Sequence, residues 1–306
     1  MRRAGFAVAT AGLLAGALAV QPHGALAHHG VHSSTGAHQL ARASALGTHL
    51  SQLSAAVASN QPPAPPRLVV GVRTSRPLVA LTFDLDMTPE MASQVNAGAS
   101  WFNADALGYL VAEHVHATMF MTGMWAEMYP TFARQIARTP GFEIGNHSFS
   151  HPAFHLPCYQ LGSVSRSAQI QQVQMAQRAI VWVTGVSPRY FRFPGGCYDS
   201  AALDLVRDAG LIPIQWNVNS IDAFNPYPAQ IAATVLAEVK PGSIVLMHLQ
   251  GGVNAPATAD ALRDIVPALE RRGYHFVTVS ELLASGTPIG PAGPKPIRLL
   301  VPGRHV

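Results

Sequence analysis

Between about residues 78 and 285, short continuous apolar runs alternate with longer stretches of helical spacing. The runs 78–83, 117–122, 142–145, 190–193, 212–217, 243–247 and 276–279 are short and mainly apolar, as suits strands buried on both faces. Helical spacing marks 104–113, 131–138, 167–183, 201–209, 229–239 and 259–272. In the longest of these, Ile170, Val173, Ile180 and Val181 oppose a glutamine-rich side, which predicts a buried apolar stripe. Strands alternating with helices predict parallel βαβ units and an α/β fold. About seven parallel strands fit a (β/α) barrel near its lower size limit, and an open doubly wound sheet would give the same string. No glycine-rich phosphate loop follows a strand, which weighs against nucleotide binding.

The flanks read differently. Arg2 and Arg3 precede an uncharged apolar run over 4–20, and Ala25-Leu26-Ala27 forms a small-residue cleavage site. Residues 1–27 are therefore expected to be a secretory signal peptide; an uncleaved anchor ranks second because no stop-transfer charges follow. Residues 28–77 form a low-complexity segment rich in His, Ala and Ser, holding His28, His29, His32, His38 and His49, and then a Pro-rich linker at 61–66. Residues 286–306 carry five prolines and four glycines and read as a tail. The folded domain is placed at 78–285. No stable membrane span is expected after signal cleavage, and the destination is outside the cell, the periplasm or the cell envelope.

The 306 residues carry a net charge of +4, unevenly distributed. All 16 acids lie between Asp84 and Glu281, and residues 78–286 hold 11 basic residues, a net of −5. An acidic core argues against a nucleic-acid enzyme, which needs a basic stripe beside its site. The basic flanks could touch anionic envelope polymers weakly, or serve only as solvated tails. Two cysteines exclude a disulfide-rich mini-fold and a four-cysteine zinc site.

Ionisable residues gather at the C-terminal ends of the proposed strands, where α/β folds place their sites. The first strand ends in Asp84-Leu85-Asp86, two carboxylates that need a partner or a metal, or that simply precede a helix capped by Asp86 or by Thr88 with Pro89. The third runs into His147 and His151, a spacing that on one turn puts two imidazoles side by side. Chance gives roughly 0.6 such pairs in this composition, so the pair alone decides nothing. His151 and His155 form another. The fourth strand ends in Arg192, followed by Pro194-Gly195-Gly196, an arginine before a turn of open amides or an ordinary surface turn. Trp216, Asp222, and Leu246 with His248 follow the later strands. A tryptophan here can stack on a sugar or belong to the core.

The ordered set, Asp-x-Asp, His-x3-His, Arg-x-Pro, Asp and Leu-x-His, resembles the polysaccharide deacetylase family, the NodB-homology domain of carbohydrate esterase family four. The resemblance covers about residues 78–284. It implies a distorted (β/α) barrel of about seven parallel strands and hydrolysis of acetyl groups from an acetylated glycan, an N-acetylglucosamine polymer being favoured. It also implies one divalent metal, commonly zinc. By the same resemblance Asp84 is the general base, Arg192 holds it, His248 is the general acid and Asp222 orients that acid. Asp86, His147 and His151 are the metal ligands, with Asp84 an alternative to Asp86. Gly195, Trp216 and Leu246 are assigned to the oxyanion and the substrate. The family usually has two adjacent aspartates in the first motif, where this chain has Leu85 in second place. Gly195 and Ala223 stand where aromatics are usual, and about a dozen extra residues, 88–100, follow the first motif. Two rivals remain: a non-catalytic glycan-binding protein on the same fold, and a hydrolase of another carbon–nitrogen bond.

Cys158 lies seven residues after His151 and Cys197 five after Arg192, in loops at the same end of neighbouring strands. In an exported protein they are expected to form one disulfide.

Overall fold

The computed structural model describes residues 67–251 and 254–291. The expected signal peptide, the histidine-rich segment, the 61–66 linker and residues 292–306 lie outside the described residues. The strands are β1 (Gly71–Arg73), β2 (Leu78–Leu85), β3 (Ala117–Met121), β4 (Phe142–Asn146), β5 (Tyr190–Phe191), β6 (Ile212–Pro213), β7 (Val218–Asn219), β8 (Ser243–His248), β9 (His275–Phe276) and β10 (Thr287–Ile289). The helices are α1 (Pro89–Asn96), α2 (Ala104–Ala112), α3 (Gly123–Met128), α4 (Pro130–Arg138), α5 (Arg166–Thr184), α6 (Ser200–Asp208), α7 (Pro228–Glu238), α8 (Thr258–Arg271) and α9 (Val279–Leu283).

Strands β8, β2, β3, β4, β5 and β6 lie side by side and parallel, with β7 beside β8 and β9 beside β2. This is the expected α/β barrel, distorted because β5, β6 and β7 are only two residues each. Of the run 212–217 only Ile212–Pro213 is strand, and β7 starts just beyond it at Val218. Strand β2 is buried at every position and sorts its side chains by parity. Leu81, Phe83 and Leu85 join the core between sheet and helices. Leu78 and Ala80 face the barrel interior with Phe120, Tyr190 and Ile244.

The ordered barrel runs past both expected boundaries, 78 and 285. Strand β1 pairs antiparallel with β8 and with β10. Just before it, Val69 N–H donates to Pro213 O at 3.0 Å and Val69 O accepts from Gln215 at 2.8 Å. The end of the segment placed at 28–77 thereby bridges β6 to the β1–β10 ribbon. Periodicity misses it because these strands are three residues long and owe their identity to their partners. Pro288 is tolerated because β10 is an edge strand.

The apolar stripe expected on α5 is only half right. Val173 and Ile180 are buried, but Ile170 is 42% and Val181 40% exposed. Gln169 and Gln172 turn inward instead, because they serve the backbone of the loop after β4, while Gln171 and Gln174 are exposed. Gln169 Nε2 donates to Phe154 O, and Gln172 Oε1 accepts from the amides of Phe149 and Ser150. The 88–100 segment begins with α1, where Thr88 Oγ1 accepts from Met91 N–H and Pro89 takes the first helical position, the cap the sequence offered as one reading. Among the described residues no helix is long and apolar enough to cross a membrane.

Candidate active site

The alternation along β2 builds the centre. Thr82, Asp84 and, just beyond the strand, Asp86 share the interior parity, while Leu85 faces the helices and is fully buried there. Two carboxylates two residues apart therefore point to the same side, which two adjacent residues on a strand cannot do.

His147 follows β4, and its amide donates to Met121 O on β3. The expected helical turn is absent: 147–151 is a loop in which Ser148 (φ 67°) and His151 (φ 61°) take left-handed conformations. Ser148 Oγ accepts from the His151 amide, and Gln172 holds the two residues between. His147 Nδ1–H donates to Arg192 O at 2.9 Å, which fixes the tautomer and leaves Nε2 toward the carboxylates. Nε2 lies 3.2 Å from Asp86 Oδ1 and 3.4 Å from Asp84 Oδ2, and His151 Nε2 lies 3.4 Å from the same Asp86 Oδ1.

Asp86, His147 and His151 are all buried, and one ligand atom from each lies within 4.8 Å of the others. Asp86 Oδ1 and His147 Nε2 have no hydrogen-bond partner among the described residues. Such atoms are costly unless something compensates them. Zinc bonds of ~2.0–2.1 Å at the tetrahedral angle set ligand atoms roughly 3.3 Å apart, close to the spacings around Asp86 Oδ1. The donor set of two imidazoles and one carboxylate fits a divalent cation of that kind. Burial presses His151 down to about 4 despite Asp86, so its ring is neutral at pH 7 and able to ligate. Burial alone would raise Asp86, but His151 and His147 outweigh it and hold the carboxyl below its usual range. For His147 the burial effect is overcome by Asp84 and Asp86, and its pKa is raised.

Arg192 is fully buried, not a surface arginine. Its Nη1 donates to Asp84 Oδ1 and its Nη2 to Thr82 Oγ1, both at 2.7 Å. The guanidinium sits 4.0 Å over the Phe120 ring and 5.5 Å from Trp216. Burial draws its pKa down, opposed by Asp84. Trp216 is partly buried, and a Cβ on Gly196 would come within 2.7 Å of its ring. It is a wall behind the arginine, not an exposed sugar platform. Thr82 escaped the sequence reading, although its parity with Asp84 was a usable signal. Its hydroxyl also donates to Val245 O at 2.6 Å, linking β2 to β8.

Register brings in the opposite side, because Asp84 on β2 pairs with His248 on β8. Asp222, fully buried, accepts from the His248 amide (2.8 Å), His248 Nδ1–H (2.7 Å), Thr258 Oγ1 (2.7 Å) and Ser220 Oγ (3.0 Å). Burial would lower the His248 pKa, but Asp222 lifts it to about 9. Ser220 and Thr258 were also unforeseen, since nothing in their spacing marks them. Leu246 is buried on β8 at the interior parity of His248.

Gly195 lies in the turn Pro194–Gly196 at φ 59°, and a Cβ there would lie 2.7 Å from Cys158 Sγ. Cys158 and Cys197 are joined by a disulfide with their Cα atoms 5.9 Å apart. His155 is exposed, 3.6 Å from Asp199, and takes no part in the centre.

The sequence model of the family described as polysaccharide deacetylase matches residues 71–214. The chain is 32% identical over 214 residues to a peptidoglycan-N-acetylglucosamine deacetylase of Bacillus cereus, covering 69% of this chain and 91% of that one. It is 29% identical over 177 residues to Uncharacterized protein YlxY of Bacillus subtilis, covering 58% of this chain and 51% of that one, about half its length. A solved peptidoglycan N-acetylglucosamine deacetylase in complex with a small N-oxidanyl-benzamide matches with a TM-score of 0.61 and 26% identity, over 73% of this chain and 96% of that one. A CE4 family pseudoenzyme from Bacillus anthracis matches with a TM-score of 0.58 and 26% identity, over 75% and 72%.

Proposed function

The chain belongs to the polysaccharide deacetylase family, and from that premise we propose that it is an exported, divalent-metal-dependent hydrolase that removes acetyl groups from a cell-envelope glycan, an N-acetylglucosamine polymer being favoured. The observation that carries this is the juxtaposition around Asp86 Oδ1: two imidazole nitrogens at 3.2 and 3.4 Å, flanked by an arginine-held carboxylate and an aspartate-held histidine. Asp86, His147 and His151 would hold the metal. When bound, a divalent cation polarises the acetyl carbonyl and acidifies water.

The remaining roles belong to the chain. Arg192 occupies Oδ1 of Asp84, so Oδ2 is the oxygen left to take the proton of the attacking water. Fixing one oxygen also fixes the direction of the other. The amide of Gly195 is the donor assigned to the developing oxyanion. His248 carries its proton at neutral pH and gives it from Nε2 to the departing amine or alkoxide, since Nδ1 is held by Asp222. Leu246 and Trp216 furnish apolar walls, and the carboxylate walls leave the site unsuited to nucleic acid. Zinc is the metal favoured by the donor set, and the signal peptide expected at residues 1–27 supports a reaction outside the cytosol.

The second reading, a glycan-binding protein without turnover, draws on Leu85 standing where a second adjacent aspartate is usual and on the pseudoenzyme among the structural relatives. Metal content after dialysis, measured with acetate release from chitin oligomers, peptidoglycan and acetylxylan, separates the two. Metal with release supports the hydrolase; glycan binding with neither metal nor release supports the alternative.

A further inference from the structure

One ring pair lies on the surface. Tyr159, 50% exposed, and Phe224, 77% exposed, stack with centroids 5.8 Å apart and planes 29° from parallel. Among the described residues every other ring pair has at least one buried member. Exposing two large apolar rings forgoes the gain of burying them, so a fold that also fixes their geometry is holding them for contact.

The rings come from the two sides of the centre. Tyr159 belongs to the loop that carries His147 and His151, and Phe224 lies two residues beyond Asp222, the partner of His248. Each backbone is pinned. Tyr159 follows disulfide-bonded Cys158, and Leu161 N–H closes a turn onto Cys158 O. A Cβ on Gly195 would lie 3.2 Å from the Tyr159 ring, so the bare glycine is what lets the ring settle there. Phe224 sits in a 3-10 turn (Asp222–Phe224) entered through Ile221 at φ 61°. The pair therefore spans the rim between the ligand loop and the acid loop, while Asp84, Asp86, His147 and His151 are buried.

A ring's negative face attracts weakly positive C–H bonds, and one face of a pyranose is a patch of axial C–H groups. We propose that Tyr159 and Phe224 form a stacking platform for a pyranose unit of the glycan chain adjoining the sugar whose acetyl group enters the centre. This rests on the deacetylase reading. It assigns the rings to chain recognition, since a sugar at the rim stays outside the buried chemistry.

The test uses the metal-loaded protein and the N-acetylglucosamine tetramer as probe, reading tetramer affinity by calorimetry and KM and kcat by acetate release. Phe224→Ala is expected to weaken tetramer binding and raise KM about 10-fold, with kcat changed less than about twofold. Phe224→Leu, which keeps apolar bulk without a π face, falls with it; Phe224→Trp recovers affinity; Tyr159→Ala repeats the loss from the other loop. Trp182→Ala removes another exposed ring, 86% exposed on α5, and leaves both readouts unchanged. Wild-type affinity in Phe224→Ala and Tyr159→Ala with acetate still released would overturn the platform and leave the deacetylase standing. A wild-type protein that does not bind the tetramer also overturns the platform. Absence of release from tetramer, peptidoglycan and acetylxylan alike removes the reading beneath it.

Discussion

Replacing Asp222 by asparagine should unseat the acid while leaving the centre in place. Asp222 accepts four hydrogen bonds, two of them from His248. Asparagine retains one accepting oxygen. The His248 amide can only donate and claims that oxygen, so the new amide group turns toward Nδ1, where it disfavours a protonated ring. His248 then loses the charge that holds its pKa near 9, and burial takes it to the ordinary 6.5 or below. At pH 8 a group of pKa 9 is about 90% protonated and one of 6.5 about 3%, so turnover limited by the acid falls roughly 30-fold. At pH 6 the two proteins converge to within a few-fold. The same substitution flattens stability against pH. A histidine raised in the folded state contributes fully below pH 6.5 and loses that contribution as pH rises through 9, on the order of 3 kcal/mol. Acetate release from pH 5 to 10, beside a histidine NMR titration of both proteins, measures this. An alkaline limb at the same pH in Asp222→Asn and wild type would refute the assignment of His248 as the acid.

The two aspartates of the first motif should separate cleanly. Asp84→Asn keeps the metal and loses about 10²–10⁴-fold in turnover, whereas Asp86→Ala and His151→Ala lose the metal and His155→Ala does not, as metal content after dialysis will report. Arg192→Met leaves Asp84 buried without its cation and should lower stability by about 3–5 kcal/mol in a denaturant titration; a change below about 1 kcal/mol would mean the pair is not buried in solution. Reducing Cys158–Cys197, 39 residues apart, should cost roughly 3–4 kcal/mol through the unfolded state, and two free thiols in the denatured, unreduced protein would contradict the bond.

Legibility from sequence followed the length of the signal. Strand β2 announces itself by eight buried residues, and its parity carries Asp84 and Asp86 with it. The long helices α5 and α8 are equally plain, yet the inward side of α5 is not, because a glutamine binding loop amides looks in a sequence like a glutamine facing water. Two-residue strands such as β5, β6 and β7 exist through neighbours distant in sequence. The same holds for Thr82, Ser220 and Thr258, ordinary hydroxyls until register sets them against Arg192 and Asp222. The His147–His151 spacing names two residues that do come together, through a loop with two left-handed residues and not through a helical turn.

The seam of the barrel imposes an order on its making. Gly71 is among the earliest described residues and Ile289 among the last, and they face each other in the ribbon that completes the wall. A chain emerging from its N-terminus can lay down β2 to β8 with β1 paired on one side only, and has to wait for the final stretch before the other side is filled. Contacts spanning so much sequence are slow to form. Cutting the protein at 78 and 285, where hydrophobic patterning ends, would discard both strands of that seam and leave β6 with a raw edge. Such a fragment should aggregate where one running from before Leu68 to beyond Ile289 stays soluble.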